Sequence, residues 1–551
     1  AKARSIVRTF RPALYTSLLI LCVCSSCLAS GVGFAFNLGS TGTDEARVTA
    51  VDSSGNVYVS GRYQGTVDFD PSAGSTTLFS GGSGISDTYI AKYSAAGAFV
   101  WVRSLGTTVL CNGIAVDSSG NFYAAGYFTG TVDLDPGAGT SSATSAGQSD
   151  VFTLKLANDG NFDWAKVVGG SGDDIANGIA LLGTSNVYLA GQFAGTVDFD
   201  PNAGTSNLVS NGGNPDIFVL NLDSAGNLAW ARAMGGPFID VATGIAVDGS
   251  GNVHTAGFFE DTADFDPDVG TANLTSAGLQ DTFVSKLDIT GSFVWTKGMG
   301  GAADSRANAV AIDGSGNVYT TGFFEGSVDF DPSVAVVTLS SVGGSDCFVS
   351  KLDSAGSFIW AKGTGGTSAD EAYSLAVDSS GNAYTTGYFS GSVDFDPGAG
   401  VSTLTASGFD IFLSKLDNAG NFVWGKAIGS TGTDFGYSIA VNTSGAVHLA
   451  GRFSGTVDAD PGPGTVTLSG TSSEGLVLKL FQLPVLDLNG STAGTGFSTS
   501  FTEDSAPQAV VDSAALSAGH EDSTLVPNLV SATVTIRNLH DGTSESLAAS
   551  T

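Results

Sequence analysis

Pairs of aspartates two residues apart are the groups in this sequence that most directly suggest chemistry. The first pair lies in "GTVDFDP" at 65–71, and close variants recur six more times along the chain. The pairs are Asp68 and Asp70, Asp133 and Asp135, Asp198 and Asp200, Asp264 and Asp266, Asp329 and Asp331, Asp394 and Asp396, and Asp458 and Asp460. A single pair would be a candidate for general acid–base catalysis, but seven equivalent pairs give no reason to choose one. Their recurrence favours a role in the scaffold.

Two interpretations of the aspartate pairs stay open. On an extended chain, residues two apart share a face, so Asp68 and Asp70 project together while Val67 and Phe69 pack on the other side. The first interpretation is a turn, because "DPxxG" places aspartate, proline and glycine where tight turns prefer them. The second is a calcium site, since both carboxylates and nearby carbonyls are hard oxygen ligands. We expect no required cofactor, and on the second interpretation the loops bind Ca²⁺ or another divalent ion.

Lysine and arginine are scarce, and twelve of them follow the period of the aspartate pairs. Six lie at one position of the same strand-like run in six of the seven units: Lys92, Lys155, Lys286, Lys351, Lys415 and Lys479. Six others follow a tryptophan by two positions: Arg103, Lys166, Arg232, Lys297, Lys362 and Lys426. Equally periodic acids are Asp87, Asp150, Asp216, Asp281, Asp346, Asp410 and Glu474. Because a catalytic lysine would break the period, we predict that these cations and acids form salt bridges in the scaffold.

Histidine and the nucleophilic residues indicate no catalytic set. His254 and His448 occupy a position that is tyrosine in other units, which predicts strand residues that pack as tyrosine does. No serine or cysteine lies in a nucleophile elbow, and no histidine cluster has metal-ligand spacing. We therefore predict no catalytic residues.

The elements that position these residues form a repeat of 64 to 66 residues, present seven times. In the sixth unit, "SLAVD", "AYTTGYF", "DIFLSKLD" and "NFVWGKAI" are short runs rich in β-branched and aromatic residues, separated by glycine and asparagine turns. Four short antiparallel strands per unit, without helical periodicity, are typical of a β-propeller. The sequence predicts an all-β, seven-bladed propeller.

The chain ends predict how the ring closes. Six tryptophans occupy one position of the fourth strand, and aligning "GFAFNLGSTGTD" with "VWGKAIGSTGTD" places Phe34 at that position. The last unit has a third strand, "GLVLKL", but no fourth strand. Residues 34–38 are therefore predicted to complete the seventh blade beside 476–480, which would remove an exposed sheet edge.

These units resemble the SBBP-type bacterial β-propeller repeat family in "DxFVxKLD", "GNFxWAK", "VDxSGNVYxxG" and "VDFDPG", over about 34–480. The resemblance implies a secreted or surface-exposed propeller and no particular reaction. The pattern "LDxxGxxxW" is also similar to the docking motif of propellers that bind pyrroloquinoline quinone. Those rings have eight blades, whereas this chain has seven units.

The N-terminal segment differs from the repeats. Lys2, Arg4, Arg8 and Arg11 precede the apolar "ALYTSLLILCVC", and "CLAS" offers a cleavage site, so 1–30 is predicted to be a signal peptide. A membrane anchor, or a lipoprotein acylated at Cys27, is the alternative. Without 1–30 the net charge changes from −32 to −36, since 17 cations remain against 53 acids. Such a charge disfavours nucleic acid and anionic membranes as partners.

The sequence predicts three regions: the signal peptide at 1–30, the propeller at 31–484 and a β-sandwich module at 485–551. The last resembles bacterial cadherin-like modules through "LDLNG", "GTGFSTSFTEDSAP" and "SATVTIRNLHDGT", and in that family acids between modules bind Ca²⁺. The resemblance would nominate Glu503, Asp504, Asp512 and Asp522, although "GHEDS" departs from its pattern. We expect this module to be incomplete and the chain to be part of a longer protein.

These features predict a non-catalytic, secreted or cell-surface propeller, monomeric within a longer chain, that binds an extracellular protein or glycan. The alternative is a secreted enzyme, for example a carbohydrate-active one, whose site is built by divergent loops at one end of the channel. Of the cysteines beyond 1–30, Cys111 and Cys347 lie in different units, and no disulfide is expected between them.

Overall fold

The computed structural model describes residues 31–81, 84–481, 485–487 and 517–519. The predicted signal peptide at 1–30 and nearly all of the predicted module at 485–551, with its nominated calcium ligands, lie outside the described residues. Regular structure in these ranges consists of β-strands alone. Accordingly, no helix with the length and apolarity to cross a membrane is found there.

Seven antiparallel blades of four strands each account for most of the chain, and the outer strand of blade 4 also pairs with the aspartate-pair hairpin of blade 5. In chain order, blades 1 to 3 are β2 (Glu45–Val51), β3 (Val57–Gln64), β6 (Ser86–Tyr93) and β7 (Phe99–Gly106); β8 (Val109–Val116), β9 (Phe122–Asp133), β10 (Ser142–Leu156) and β11 (Phe162–Val168); and β12 (Ile175–Leu182), β13 (Asn186–Phe193), β16 (Asp216–Asp223) and β17 (Leu228–Met234). Blades 4 and 5 are β18 (Asp240–Val247), β19 (Val253–Asp264), β20 (Asn273–Leu287) and β21 (Phe293–Gly301); and β22 (Ser305–Ile312), β23 (Val318–Phe324), β26 (Asp346–Leu352) and β27 (Phe358–Thr364). Blades 6 and 7 are β28 (Glu371–Val377), β29 (Ala383–Asp394), β30 (Thr403–Leu416) and β31 (Phe422–Ile428); and β32 (Phe435–Val441), β33 (Val447–Asp458), β34 (Thr467–Leu480) and β1 (Val32–Leu38).

Short strands belong to the hairpins that carry the aspartate pairs, and one further pair follows the propeller. In blades 1, 3 and 5 the hairpins are separate elements, whereas elsewhere the second and third strands extend through them. The short strands are β4 (Thr66–Asp68), β5 (Thr77–Phe79), β14 (Thr196–Asp198), β15 (Asn207–Val209), β24 (Ser327–Asp329), β25 (Thr338–Ser340), β35 (Val485–Asp487) and β36 (Ser517–Gly519).

The seven first strands form a closed ring around the central channel. Each packs against the first strands of both neighbouring blades, and the series returns from β32 to β2. The seven-bladed propeller predicted from the repeats is thus confirmed. β1 pairs antiparallel with β34, with Phe34 opposite Lys479 and Leu38 opposite Gly475, so the N-terminal strand lies in the last blade as predicted.

The turns between first and second strands show how local sequence sets the fold. In "VDSSGN", Asp52 Oδ1 accepts hydrogen bonds from the backbone N–H groups of Ser54 and Asn56, both at 2.9 Å. Gly55 has a φ of 80°, a conformation that costs other residues energy. A short aspartate–glycine turn therefore reverses the chain, and further blades repeat the same bonds around Asp117, Asp248, Asp313 and Asp378.

Candidate ligand site at the central channel

The aspartate pairs lie in hairpins that hold themselves together through backbone hydrogen bonds. Val67 and Phe69 are fully buried while the pair projects outward, as the alternation predicts. Asp68 Oδ1 accepts from the backbone N–H of Asp70 at 3.1 Å and of Thr76 at 2.8 Å. The first aspartate of every other pair makes the same two bonds.

The second aspartate of each pair closes the turn that follows. Asp70 Oδ1 accepts from the N–H of Ser72 at 3.0 Å, and its Oδ2 would lie 2.3 Å from a Cβ placed on Gly74. The hairpin also joins neighbouring blades, because Gly235 at the end of blade 3 and Asp264 of blade 4 exchange two backbone hydrogen bonds of 2.9 and 3.0 Å. These contacts are those of a structural turn that also joins one blade to the next. Within the described ranges, no group of three or more His, Cys, Asp or Glu side chains is placed to hold a metal. Calcium binding by the pairs stays a prediction.

The predicted pairing of third-strand lysines with third-strand acids is wrong. Lys286 lies 3.9 Å from Asp248, and Lys351 lies 3.8 Å from Asp313, so these lysines face the aspartate of the first turn. The acids instead accept backbone hydrogen bonds: Asp216 Oδ2 accepts from the N–H of Asn211 at 2.7 Å. Because lysines and acids repeat with one period, spacing alone could not show which acid lies opposite which lysine.

Buried carboxylates meet in pairs at the junctions between blades. Asp216 is 4% exposed, and its Oδ1 has no hydrogen-bond partner among the described residues. A Cβ built on Gly235 would lie 2.7 Å from Asp216 Oδ1 and 3.0 Å from Asp240 Oδ2, so both acids contact this glycine. Burial raises the pKa of Asp216 to about 7, against the lowering effect of the hydrogen bond from Asn211, and the charge of Asp240 adds a smaller increase. Burial likewise raises the pKa of Asp240 to about 7.

The histidines lie where tyrosine stands in other blades, as predicted. His254 is opposite Lys286 and His448 is opposite Lys479, matching Tyr58 opposite Lys92. Both histidines are almost fully buried, and burial lowers the pKa of His254 to about 4 and that of His448 to about 3. They are therefore neutral at physiological pH.

The channel wall carries a feature that sequence reasoning missed, a β-bulge in every first strand. In blade 1, Ala46 pairs with Gly61 and Val48 pairs with Ser60, which leaves Arg47 without a cross-strand partner. The bulged residues of blades 1 to 7 are Arg47, Asn112, Asn177, Thr243, Asn308, Tyr373 and Tyr437. Bulges re-aim side chains and are frequent beside functional sites.

In blades 2 to 5 the bulged side chain links its blade to the next one. Asn112 Nδ2 donates to the carbonyl of Ala176 at 3.0 Å, and Thr243 Oγ1 donates to that of Ala307 at 2.7 Å. Asn177 and Asn308 make the equivalent bonds. In these four blades the bulged residue therefore stabilises the contact between neighbouring blades.

In blades 6, 7 and 1 the bulged side chains are Tyr373, Tyr437 and Arg47, which we call the stacked sector. The two tyrosine rings are stacked, with centroids 6.1 Å apart and planes 19° apart, and the Arg47 guanidinium lies 5.6 Å from the Tyr437 centroid. Blades 6 and 7 make their inter-blade bonds one residue later, where the hydroxyls of Ser374 and Ser438 accept from the next blade. In these two blades the serine that follows the tyrosine therefore makes the inter-blade hydrogen bond.

Charged groups surround the stacked sector. Arg452 Nη1 lies 2.7 Å from Glu45 Oε1, and its guanidinium carbon lies 4.8 Å from the Phe435 centroid. Burial raises the pKa of Glu371, and burial with the charge of Glu45 raises the pKa of Tyr437 to about 12. The Tyr437 hydroxyl is therefore a hydrogen-bond donor at neutral pH, and it lies beside both a carboxylate and arginines.

The residue type at the bulged position could have identified this sector from the sequence, but only the strand register shows which position is bulged. The bulged position is asparagine or threonine in blades 2 to 5 and tyrosine or arginine in the other three. In an alignment of the units, this position is therefore a break in the period within the first strands that form the ring.

The fold and this wall define the protein as a repetitive seven-bladed propeller with a divergent channel sector. An SBBP family model, described as a beta-propeller repeat, matches residues 359–388. The chain is 23% identical over 500 residues to an uncharacterized WD repeat-containing protein of Acanthamoeba polyphaga mimivirus, covering 76% of this chain and 36% of that protein. It is 32% identical over 125 residues to the regulatory protein FlaEY of Caulobacter vibrioides, covering 22% and 13%.

Among solved structures, Sqt1 from Chaetomium thermophilum gives a TM-score of 0.39 at 11% identity, covering 81% of this chain and all of that one. The chain spans well under two thirds of either curated relative. Together, the propeller fold and the matches to repeat proteins indicate a binding scaffold.

Proposed function

We propose that this protein is a non-catalytic, secreted or cell-surface binding scaffold whose extracellular protein or glycan ligand contacts the stacked sector. The observation that carries the proposal is the change of role at the bulge. Four blades use this position to bind the next blade, whereas in the other three it carries Tyr373, Tyr437 and Arg47, which lie in contact with one another.

The chemistry of the sector suits recognition of a ligand that is partly apolar and rich in hydrogen-bonding groups. Aromatic rings supply contact area at low cost in conformational entropy, and tyrosine and arginine are enriched among residues that dominate binding energy. The Arg47 side chain is 37% exposed, so the row is accessible to solvent at that end. The acids Glu45 and Glu371 beside the tyrosines add hydrogen-bond acceptors.

The proposed location outside the cytoplasm rests on the basic and apolar segment at 1–30. A reporter enzyme that is active only after export, fused to 1–30, should become active. Full-length protein that stays protease-resistant inside intact cells would contradict this location.

The binding proposal is tested with variants taken from the repeats themselves. Tyr373→Asn and Tyr437→Asn introduce the residue that blades 2, 3 and 5 accept at the bulge, so the fold should tolerate them. On an array of glycans and matrix proteins, we expect the double variant to lose at least about tenfold in affinity for the ligands that the wild type binds, as aromatic hot-spot residues do. Asn308→Thr, which copies Thr243 of blade 4, is the matched control outside the sector and should bind normally.

Two outcomes would overturn the proposal. Unchanged binding by the double variant would place the ligand elsewhere. Turnover of a substrate in a parallel panel of hydrolase assays, lost in the same variant, would make the protein an enzyme. Each array is run with Ca²⁺ and with a chelator, which also tests the predicted role of calcium.

A further inference from the structure

A cavity of about 410 Å³ lies beside blade 4, whereas the stacked sector belongs to blades 6, 7 and 1. Its walls come from the connection that precedes β18, the hairpin between β19 and β20, and the connection that precedes β22. The lining residues used below are Phe238, Glu260, Asp261, Leu279, Gln280 and Asp304.

The residues of this cavity break the sevenfold repetition. Asp261 has a φ of 55° and is the one residue other than glycine with a positive φ in the described part of the chain. The six other blades have glycine at this position: Gly65, Gly130, Gly195, Gly326, Gly391 and Gly455. Phe238 likewise replaces a small residue, such as Gly172 or Gly432. A scaffold role would be served by the repeated residue, so this departure indicates a use specific to blade 4.

The polar groups of the cavity are mainly hydrogen-bond acceptors. Glu260, Asp261 and Asp304 contribute three carboxylates. Asp304 Oδ1 and Gln280 Oε1 are buried and have no hydrogen-bond partner among the described residues, while the Gln280 amide donates to Glu260. The neighbouring cation is Arg306, whose Nη2 lies 3.8 Å from Asp304 Oδ2. One arginine against three carboxylates leaves a local excess of negative charge and unpaired acceptors.

Apolar side chains flank these acceptors. Phe238 is 45% exposed and Leu279 is 70% exposed, although both are large apolar residues that normally gain by burial. A ligand with a cationic head and an apolar stem would pair with the carboxylates and cover these two side chains. Lysine and arginine side chains have this construction.

We propose that the cavity beside blade 4 binds a basic side chain, lysine or arginine, of a peptide segment of the protein's partner. This proposal rests on the proposed binding function and adds a second contact point to it. The charge of the whole chain, −32, favours the approach of a basic segment at low ionic strength.

The experiment measures fluorescence anisotropy of a labelled Gly-Lys-Gly-Gly peptide with the full chain, beside versions that carry arginine, norleucine or glutamate. We expect binding of the lysine or arginine peptide, weakened by salt, and little binding of the other two. Asp261→Gly removes one carboxylate and restores the glycine of six blades, so it should weaken binding by about fivefold or more while the melting temperature does not fall. Glu260→Gln should weaken binding similarly.

Glu325→Gln is the matched control, because Glu325 is the exposed counterpart of Glu260 in blade 5 and lies outside the cavity. The affinity of this variant for the basic peptides should stay within about twofold of the wild-type value. That change is smaller than the loss of one charge-assisted hydrogen bond would cause. Three outcomes would overturn the proposal. The norleucine peptide could bind as tightly as the basic peptides, neither basic peptide could bind at millimolar concentration, or both cavity variants could keep the wild-type affinity. The Tyr373→Asn and Tyr437→Asn variants should bind the peptide normally, so failure here is separable from failure of the stacked sector.

Discussion

At the scale of single residues, buried acids at the junctions between blades make the stability of this propeller depend on pH. Asp216 and Asp240 are buried, and their acidic oxygens contact the same glycine. Raised pKa values at Asp174, Asp346 and Asp410, each about 6, show the same effect at other junctions. An acid whose pKa is raised on folding stabilises the fold below its unfolded pKa, and this contribution is lost as pH rises through the folded value. These acids therefore favour the folded state between about pH 4 and 6 over pH 8.

Asp216→Asn tests this dependence. Asparagine keeps an acceptor for the N–H of Asn211 and removes the charge that faces Asp240. At pH 8 we expect the variant to be more stable than the wild type by about 1–3 kcal/mol, with a difference that shrinks toward pH 5 as the wild-type acids become protonated. Denaturant unfolding at pH 5, 6.5 and 8 measures the effect. Asp268→Asn, at an exposed position, is the control; an Asp216→Asn variant that is less stable at pH 8 would refute the interpretation.

At the scale of the element, a tryptophan docks the fourth strand of each of blades 1 to 5 onto the following blade. Trp230 Nε1 donates to the carbonyl of Ile289 at 3.0 Å, and Arg232 Nε donates to that of Gly291 at 3.0 Å. A Cβ on Gly291 would lie 2.9 Å from the Trp230 ring. The equivalent contact recurs where Trp101 meets Gly160. The pattern "LDxxGxxxW" therefore combines the glycine that receives one tryptophan with the next tryptophan of the series.

Two glycine variants separate the docking contact from backbone strain. Gly291 and Gly195 have φ values of 80° and 82°, but a Cβ on Gly195 would have no neighbour within 4 Å. Gly195→Ala should cost about 1 kcal/mol from the positive φ alone. Gly291→Ala should cost about 1–3 kcal/mol more, because its methyl group would displace Trp230. Equal losses in the free energy of unfolding would exclude the docking role.

The strands and their internal register were predictable from sequence, whereas contacts between blades were not. Tyr58, Lys92 and Trp101 lie side by side on three adjacent strands because turns of fixed length set the register. Which acids lie opposite the lysines, and why Ser374 rather than Tyr373 bonds to the next blade, depend on how one blade packs against the next. A periodic sequence identifies equivalent positions, but it does not say which of them face each other across a junction.

At the scale of the whole molecule, closure depends on the N-terminal strand in two ways. β1 supplies the fourth strand of blade 7, where Phe34 lies opposite Lys479 as Trp424 lies opposite Lys415 in blade 6. Phe34 also docks onto blade 1, since a Cβ on Gly97 would lie 2.7 Å from its ring. One short strand thus joins the last blade to the first and covers an edge of β34.

Removal of residues 31–39 should therefore lower the melting temperature strongly, because it exposes β34 and breaks the contact between blades 7 and 1. Phe34→Ala keeps the strand and removes only the docking ring, so it should cost about 2–4 kcal/mol, as truncation of a large, partly buried aromatic side chain does. Phe34→Trp introduces the residue of the other six blades and should be tolerated or stabilising, since its Nε1 adds a donor toward the carbonyl groups of the blade 1 turn. Thermal unfolding ranks the three variants. A deletion with an unchanged melting temperature would mean that the ring is held by the contacts among its first strands alone, without the N-terminal strand.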